Sequence, residues 1–398
     1  MENPRIRFLE VVPIQQEGHQ MYLLRDPEGI SERSLAVSQD VLFVLSLMDG
    51  TRSIEALRDE YQRAFSNEIH VDQIRSIIEG MDNNLFLQND RFRTHLLGLV
   101  ESYAALTCRP SFLAGRSFPA EENDLRTALS GFLGHQDGLE VPGRINGILA
   151  PHIDYGRGQK VYSEVYRYLP HVEHDLIVLF GTCHGYTPGL WNISLKDFAT
   201  PLGTVKSATG MKDLVRDHDV LGKYVFEWAH RNEHSIELQL PIIQYLIGDR
   251  DIEILPILNG SMDPFISGDR GMDDGELAEL TEGLKDVLRQ YGKSYLVIAA
   301  ADLAHIGAQF GDQFKLDASI LEQSKGSDQL ILEQIGKTNA QGFFQAVKDE
   351  GDSRRICGLT PIFFQLSLLA ESKAKLVGYD QWSDGASSVS FAGAVFYE

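Results

Sequence analysis

Asn146-Gly147-Ile148-Leu149-Ala150-Pro151-His152-Ile153-Asp154-Tyr155 sets a short apolar run directly against a proline, an imidazole and a carboxylate. Residues 147–150 read as a buried strand, and the polar residues fall where that strand stops. The same arrangement returns twice. An apolar run over 176–180 is followed by Gly181-Thr182-Cys183-His184-Gly185, and another over 295–301 by Asp302-Leu303-Ala304-His305. Between and after them the spacing predicts helices over 160–169, 238–247, 275–291, 328–335 and 361–369, with further strands over 252–258, 374–379 and 389–397. Strands alternating with helices predict an α/β sheet covered on both faces. In such sheets the carboxyl ends of the strands line the ligand crevice, so residues that follow different strands converge there.

The remaining composition narrows the function classes. The 398 residues carry 36 Lys+Arg against 57 Asp+Glu, a net charge of −21. Such a surface repels polyanions, which argues against nucleic acid or an anionic membrane as the main partner. The first ten residues are charged and lack the apolar core of a signal peptide, and no run approaches the ~18 apolar residues of a spanning helix. Cys108, Cys183 and Cys357 are too few and too scattered for a disulfide framework, so reduced thiols in a cytoplasm are expected. No GxGxxG, GxxxxGK[ST], HExxH, CxxC or GxSxG pattern marks a dinucleotide, nucleotide, zincin, thioredoxin-like or serine-hydrolase site.

Three organisational stretches are expected: 1–95, a linker and helical approach over 96–145, and the α/β domain over 146–398. The first carries helix patterns over 38–48, 53–65 and 71–81, closed by a strand-like Leu85-Phe86-Leu87, the order of a small winged-helix-like α+β module. Its pattern resembles the PqqD-like peptide-binding domains. Its third helix offers Arg75 against Asp72 and Glu79, a poor surface for DNA.

Four strand- or helix-end clusters hold the chemistry-capable residues: His152, His184, His305 and, in Asn232-Glu233-His234-Ser235 ahead of a helix, His234. One histidine after a strand is ordinarily satisfied by a loop carbonyl. Several converging on one crevice suit metal ligation, usually completed by an anionic ligand. Cys357 is the leading candidate for that ligand, because the following helix and the adjacent Arg354 and Arg355 are expected to depress its pKa. Cys183 is expected to line the pocket without ligating, and Cys108 to be structural. Asp302 and Glu233 are expected to orient an imidazole or carry protons, or else simply to cap. His19, His70, His95, His135, His171, His174, His218 and His230 read as structural or solvated.

The ordered set APHIDY (150–155), GTCHGY (181–186), TPLG (200–203), EHSIELQLP (233–241), ILPILNG (254–260), ADLAH (301–305) and ICGLTPI (356–362) resembles the Memo family, whose bacterial and archaeal members are often called AmmeMemoRadiSam system protein B. The resemblance implies a three-layer α/β/α fold similar to the LigB-type class III extradiol dioxygenases. It implies metal ligands His152, His184 and Cys357, with His234, Asp302 and His305 lining the same cleft and iron or copper as the ion. Relatives often carry His-Ala-Gly-Tyr where this chain has His152-Ile153-Asp154-Tyr155, so Asp154 either adds a carboxylate at the pocket or caps a turn, with Tyr155 expected at the pocket. Where they carry Ser-His-His, this chain has Cys183-His184-Gly185, losing an imidazole and gaining a thiol.

The expected function is metal-dependent redox chemistry on a small molecule or peptide, with His234 or His305 moving protons and Asp302 orienting an imidazole. Its rivals are a non-catalytic peptide-binding module and a zinc-dependent hydrolase using Asp302 or Asp154 as base. The family's bacterial name implies radical-SAM and AMMECR-type protein partners.

Overall fold

A computed structural model of the chain describes residues 3–16, 18–134, 143–248 and 250–398, which fall into two compact units divided between Ala105 and Leu106. His135 lies outside the described residues.

In the first unit, strands β1 (Glu10–Gln16), β2 (His19–Arg25) and β3 (Leu35–Val37) form an antiparallel sheet in the order β1-β2-β3. Helices Gln39–Ser46, Ile54–Phe65, Val71–Asn83 and Asp90–Ala104 follow. Their buried faces, through Val44, Leu57, Ile74 and Ile78, meet Leu24 and Phe86 in one core. The three expected helices form where the spacing puts them, the second started by Ser53, whose hydroxyl accepts from the amide of Ala56 at 3.3 Å. The sheet precedes the helices instead of following them, formed from residues 10–37, and after the third helix Leu85 adopts a positive φ of 60° where a closing strand was expected. Leu87 is left with a single bridge to Ile6.

The second unit is built on an eleven-stranded mixed sheet. Its strands are β4 (Cys108–Arg109), β5 (Ile145–Ala150), β6 (Leu176–Thr182), β7 (Trp191–Ile193), β8 (Asp197–Thr200), β9 (Gly203–Ser207) and β10 (Glu253–Asn259). They are followed by β11 (Tyr295–Ala300), β12 (Asp302–Gly307), β13 (Lys373–Ser383) and β14 (Ser387–Tyr397). At its centre β5, β11, β6 and β10 lie side by side and parallel. They are apolar almost throughout, as strands covered on both faces must be. Alternate residues of β6 sort the two faces. Ile177 and Leu179 pack with Tyr162, Tyr166, Leu129 and Ile242, from helices Tyr155–Tyr166, Glu122–Leu133 and Gln239–Ile247. Val178 and Phe180 pack with Leu284, Ile335, Val347 and Phe364, from helices Gly275–Tyr291, Ala318–Gly336, Ala340–Asp349 and Leu359–Leu368. The result is three layers, helix, sheet and helix.

Sequence and structure differ at 302–307, expected as a loop. The chain instead resumes as β12, antiparallel to β14, with a bulge between Asp302 and His305. One edge of β14 therefore meets β12 through its first half and β5 through its second, while β13 covers the other edge. Among the described residues no helix is long and apolar enough to cross a membrane.

Candidate metal centre

Because β11 lies between β5 and β6, the ends of three neighbouring strands deliver Pro151-His152, Asp302 and Cys183-His184 to one place. A fourth segment is laid across them. Gly181 lets it approach: a Cβ there would stand 2.6 Å from Ser235 Oγ and 2.7 Å from Ile236 Cγ1. That segment carries Glu233 and His234.

One ligand atom each from His152, His184 and His234 falls within 4.8 Å of the others. Their rings stand 4.5 to 5.4 Å apart by centroid. His152 is buried at 2% exposure, while the side chains of His184 and His234 are each 38% exposed, so the cluster is closed on the sheet side and open on the other. The partners settle the tautomers. His152 Nδ1 lies 3.0 Å from the Ala300 carbonyl, which only accepts, so that nitrogen carries the proton. The Nδ1 atoms of His184 and His234 each lie 3.0 Å from Glu233 Oε1. All three rings thus have Nδ1 committed to an acceptor, which leaves Nε2 as the nitrogen through which each can meet a metal.

Electrostatics follow from these contacts. Burial, reinforced by His184 and His234, holds the His152 imidazole well below its ordinary pKa and therefore neutral. Burial also opposes charge on His184, but the Glu233 carboxylate outweighs it and the net shift is upward. Burial works against the Glu233 charge too; His184 and His234 overcome that and keep it well below the usual carboxylate range. Glu233 also accepts from the amides of His184 at 2.7 Å and His234 at 2.8 Å. Asp302 is the opposite case. Burial lifts its carboxyl to about 7, although Oδ1 accepts from the His152 amide at 2.9 Å.

Cys357 is brought to the site but not into the three-imidazole set: its sulfur lies 3.5 Å from His152 Nε2. The expected depression of its pKa is overturned. Burial, followed by the Asp302 carboxylate, raises the thiol well above its ordinary value. The arginines do not counter this, because Arg354 is engaged by Asp328 and Glu350, and Arg355 by Asp312. Cys183 lines a cavity of about 220 Å³ together with His184 and Cys357, and burial lifts its thiol to about 12.

Other expected residues are not among the three clustered imidazoles. His305 belongs to β12, its ring 5.0 Å by centroid from Phe310 and its Nδ1 3.1 Å from the Leu303 carbonyl. Burial lowers it to about 4. Tyr155 does not line the pocket. It is buried against Phe118, Phe132 and Tyr162, with its hydroxyl on the Leu238 carbonyl, because it opens a helix whose apolar face turns inward. Asp154 is exposed and caps that helix, accepting from the Gly156 amide at 2.8 Å. His174 and His230 are buried, each on one carbonyl at 2.8 Å. Arg109 and Glu237 were not singled out from the sequence, yet they form an ion pair with neither side chain exposed, directly behind Glu233. Their signal was an isolated charge within an apolar run, Ile236-Glu237-Leu238, and an arginine before a proline.

Fold and site together define an α/β protein with an imidazole cluster at the strand ends that can hold one metal ion. The chain belongs to the Memo family: the profile described as Memo-like protein matches residues 109–395. A MEMO1 family protein of Aquifex aeolicus is 28% identical over 406 residues, covering 99% of this chain and all of the relative. One from Methanosarcina acetivorans is 31% identical over 291 residues, covering 71% of this chain and 95% of the relative. A third, from Desulfurococcus amylolyticus, is 26% identical over 312 residues, covering 73% and 99%.

Proposed function

We propose that this chain is a mononuclear metal protein that carries out redox chemistry on a small organic substrate. The Nε2 atoms of His152, His184 and His234 hold the ion, and Cys357 is a fourth donor whose proton leaves on binding. The carrying observation is the set of three imidazoles within 4.8 Å, each with its Nδ1 already committed to an acceptor. Imidazoles with one adjoining thiol suit copper and iron as well as zinc. The bound ion would supply Lewis acidity and, as iron or copper, electron transfer. The protein supplies the rest. Glu233 orients two rings, and Asp302 holds or releases a proton at Oδ2, 3.9 Å from His152 Nε2. The adjoining cavity, about 220 Å³ and bordered by Cys183, Asn259, Met262 and Arg355, gives a small substrate room beside His184. The family resemblance is the support for radical-SAM and AMMECR-type proteins as its partners.

Elemental analysis of anaerobically purified protein tests this. The expected result is one iron or copper per chain, falling below roughly a tenth of that in His152→Ala and His234→Ala, since each loses one of few donors. Unchanged stoichiometry in both variants overturns the site. A second reading rests on Asp302: three imidazoles beside a carboxyl lifted to about 7 also suit a zinc-dependent hydrolase. One redox-silent zinc per chain selects it.

A further inference from the structure

We propose that Arg109 and Glu237, which touch no imidazole, are the positioning pair of the metal centre; this rests on the metal reading above. Arg109 ends β4 at the far edge of the sheet and is wholly buried. Apart from a bond from Nη1 to the neighbouring Pro110 carbonyl at 3.2 Å, its guanidinium serves residues 230–237. Nη1 pairs with Glu237 Oε2 at 2.6 Å, Nη2 donates to the Glu233 carbonyl at 2.9 Å, and Nε donates to the His230 carbonyl. Glu237 is anchored in turn: its Oε1 accepts from Ser111 Oγ at 2.6 Å and from the amides of Phe112 and Leu113 at 2.9 Å each. The backbone before, at and after Glu233-His234 is therefore held from residues 109–113, more than a hundred positions away in the chain.

The consequence reaches the rings through one carboxylate. Glu233 accepts from the amides of His234 at 2.8 Å and Ser235 at 3.2 Å, so its side chain is tied to the same backbone that Arg109 holds. That carboxylate then fixes Nδ1 of both His184 and His234. Arg109 sets the carbonyl, the carbonyl sets the carboxylate, and the carboxylate aims two of the three Nε2 atoms. The planar fork is essential, because an ammonium cannot meet two carbonyls and a carboxylate in one plane.

The test uses full-length Arg109→Lys and Glu237→Gln, titrated with Co²⁺ alone and followed by visible absorbance, together with amide exchange over 230–238 in metal-free protein. In variants that keep a cooperative thermal transition, Co²⁺ binding is expected to weaken about 10- to 100-fold, the usual effect of removing a group behind a ligand. Its absorption bands shift, and the His234 and Ser235 amides exchange faster. A folded variant with wild-type Co²⁺ affinity and spectrum overturns the proposal. If Glu237→Gln does not fold, Arg109→Lys, which keeps the buried charge balanced, decides alone. If the wild type takes up no Co²⁺, the metal reading fails, and the positioning role is judged on exchange: unchanged protection at His234 and Ser235 in the variants overturns it.

Discussion

Glu233 answers to two rings at once, which makes it the most sensitive non-ligand of the site. Glu233→Gln keeps the shape but replaces a charged acceptor with a neutral amide, so metal affinity is expected to fall about 10- to 100-fold. Competition with a chelator of known strength measures this. Asp302 gives a pH prediction. Its carboxyl titrates at about 7 in the folded protein against an ordinary 3.8, so the folded state keeps a proton that the unfolded chain releases. Stability from this residue is therefore present below roughly pH 4 and is lost as pH rises to about 7. Asp302→Asn lacks that loss, so its thermal midpoint relative to wild type should climb across the same window in metal-free protein. A flat difference from pH 4 to 7 would count against the raised carboxyl. At this scale His152 and His184 are legible, because each follows an apolar run where a strand ends, whereas His305 lies within β12. The Cys357 thiol departs from the sequence expectation because neighbours in sequence are not its neighbours in charge. Arg354 and Arg355 each face a carboxylate contributed by another element.

Among elements, the segment lying on Gly181 matters most. Gly181→Ala would drive a methyl into Ser235 and Ile236, displacing the segment that carries His234. The expected outcome is weaker metal binding together with a loss of roughly 1–3 kcal/mol from overpacking, read by chelator competition and denaturant unfolding. Wild-type affinity would show that this close approach does not set the site. The central strands and their helices were readable because continuous burial leaves an uninterrupted apolar run, and the helix expected over 275–291 forms as Gly275–Tyr291, stopped by Gly292 at φ 74°. Helix Ala318–Gly336 starts ten residues before its expected beginning, since its first half is mostly polar and lacks a long apolar stripe. Strand β12 was hidden because a bulge interrupts its alternation directly after Asp302.

For the whole molecule, the cores sort cleanly: one apolar cluster belongs to the unit before Leu106, and the other two to the unit after it. Every group at the proposed centre also lies in the second unit. A chain of residues 106–398 is therefore expected to bind metal with the stoichiometry of the full protein, by elemental analysis. Clear loss of metal from a folded fragment would assign the first unit a part in the site. The change of pattern suggests a first module ending near 95 and a linker over 96–145, whereas the units part between Ala105 and Leu106, and residues 108–133 supply β4 and helix Glu122–Leu133 to the second. The strand order within the first is not legible, because β1 and β2 are largely exposed and lack a clear apolar alternation.

Only Ala301 separates the last residue of β11 from the first of β12, so the parallel heart of the sheet and its antiparallel border are stitched together at Asp302. The same residue's carbonyl receives the Gly358 amide at 3.0 Å, fastening the Cys357 turn to that stitch. A load across that border is shared between this covalent stitch, beside the acid and the sulfur, and the β14 ladder that clasps β12 with one half and β5 with the other.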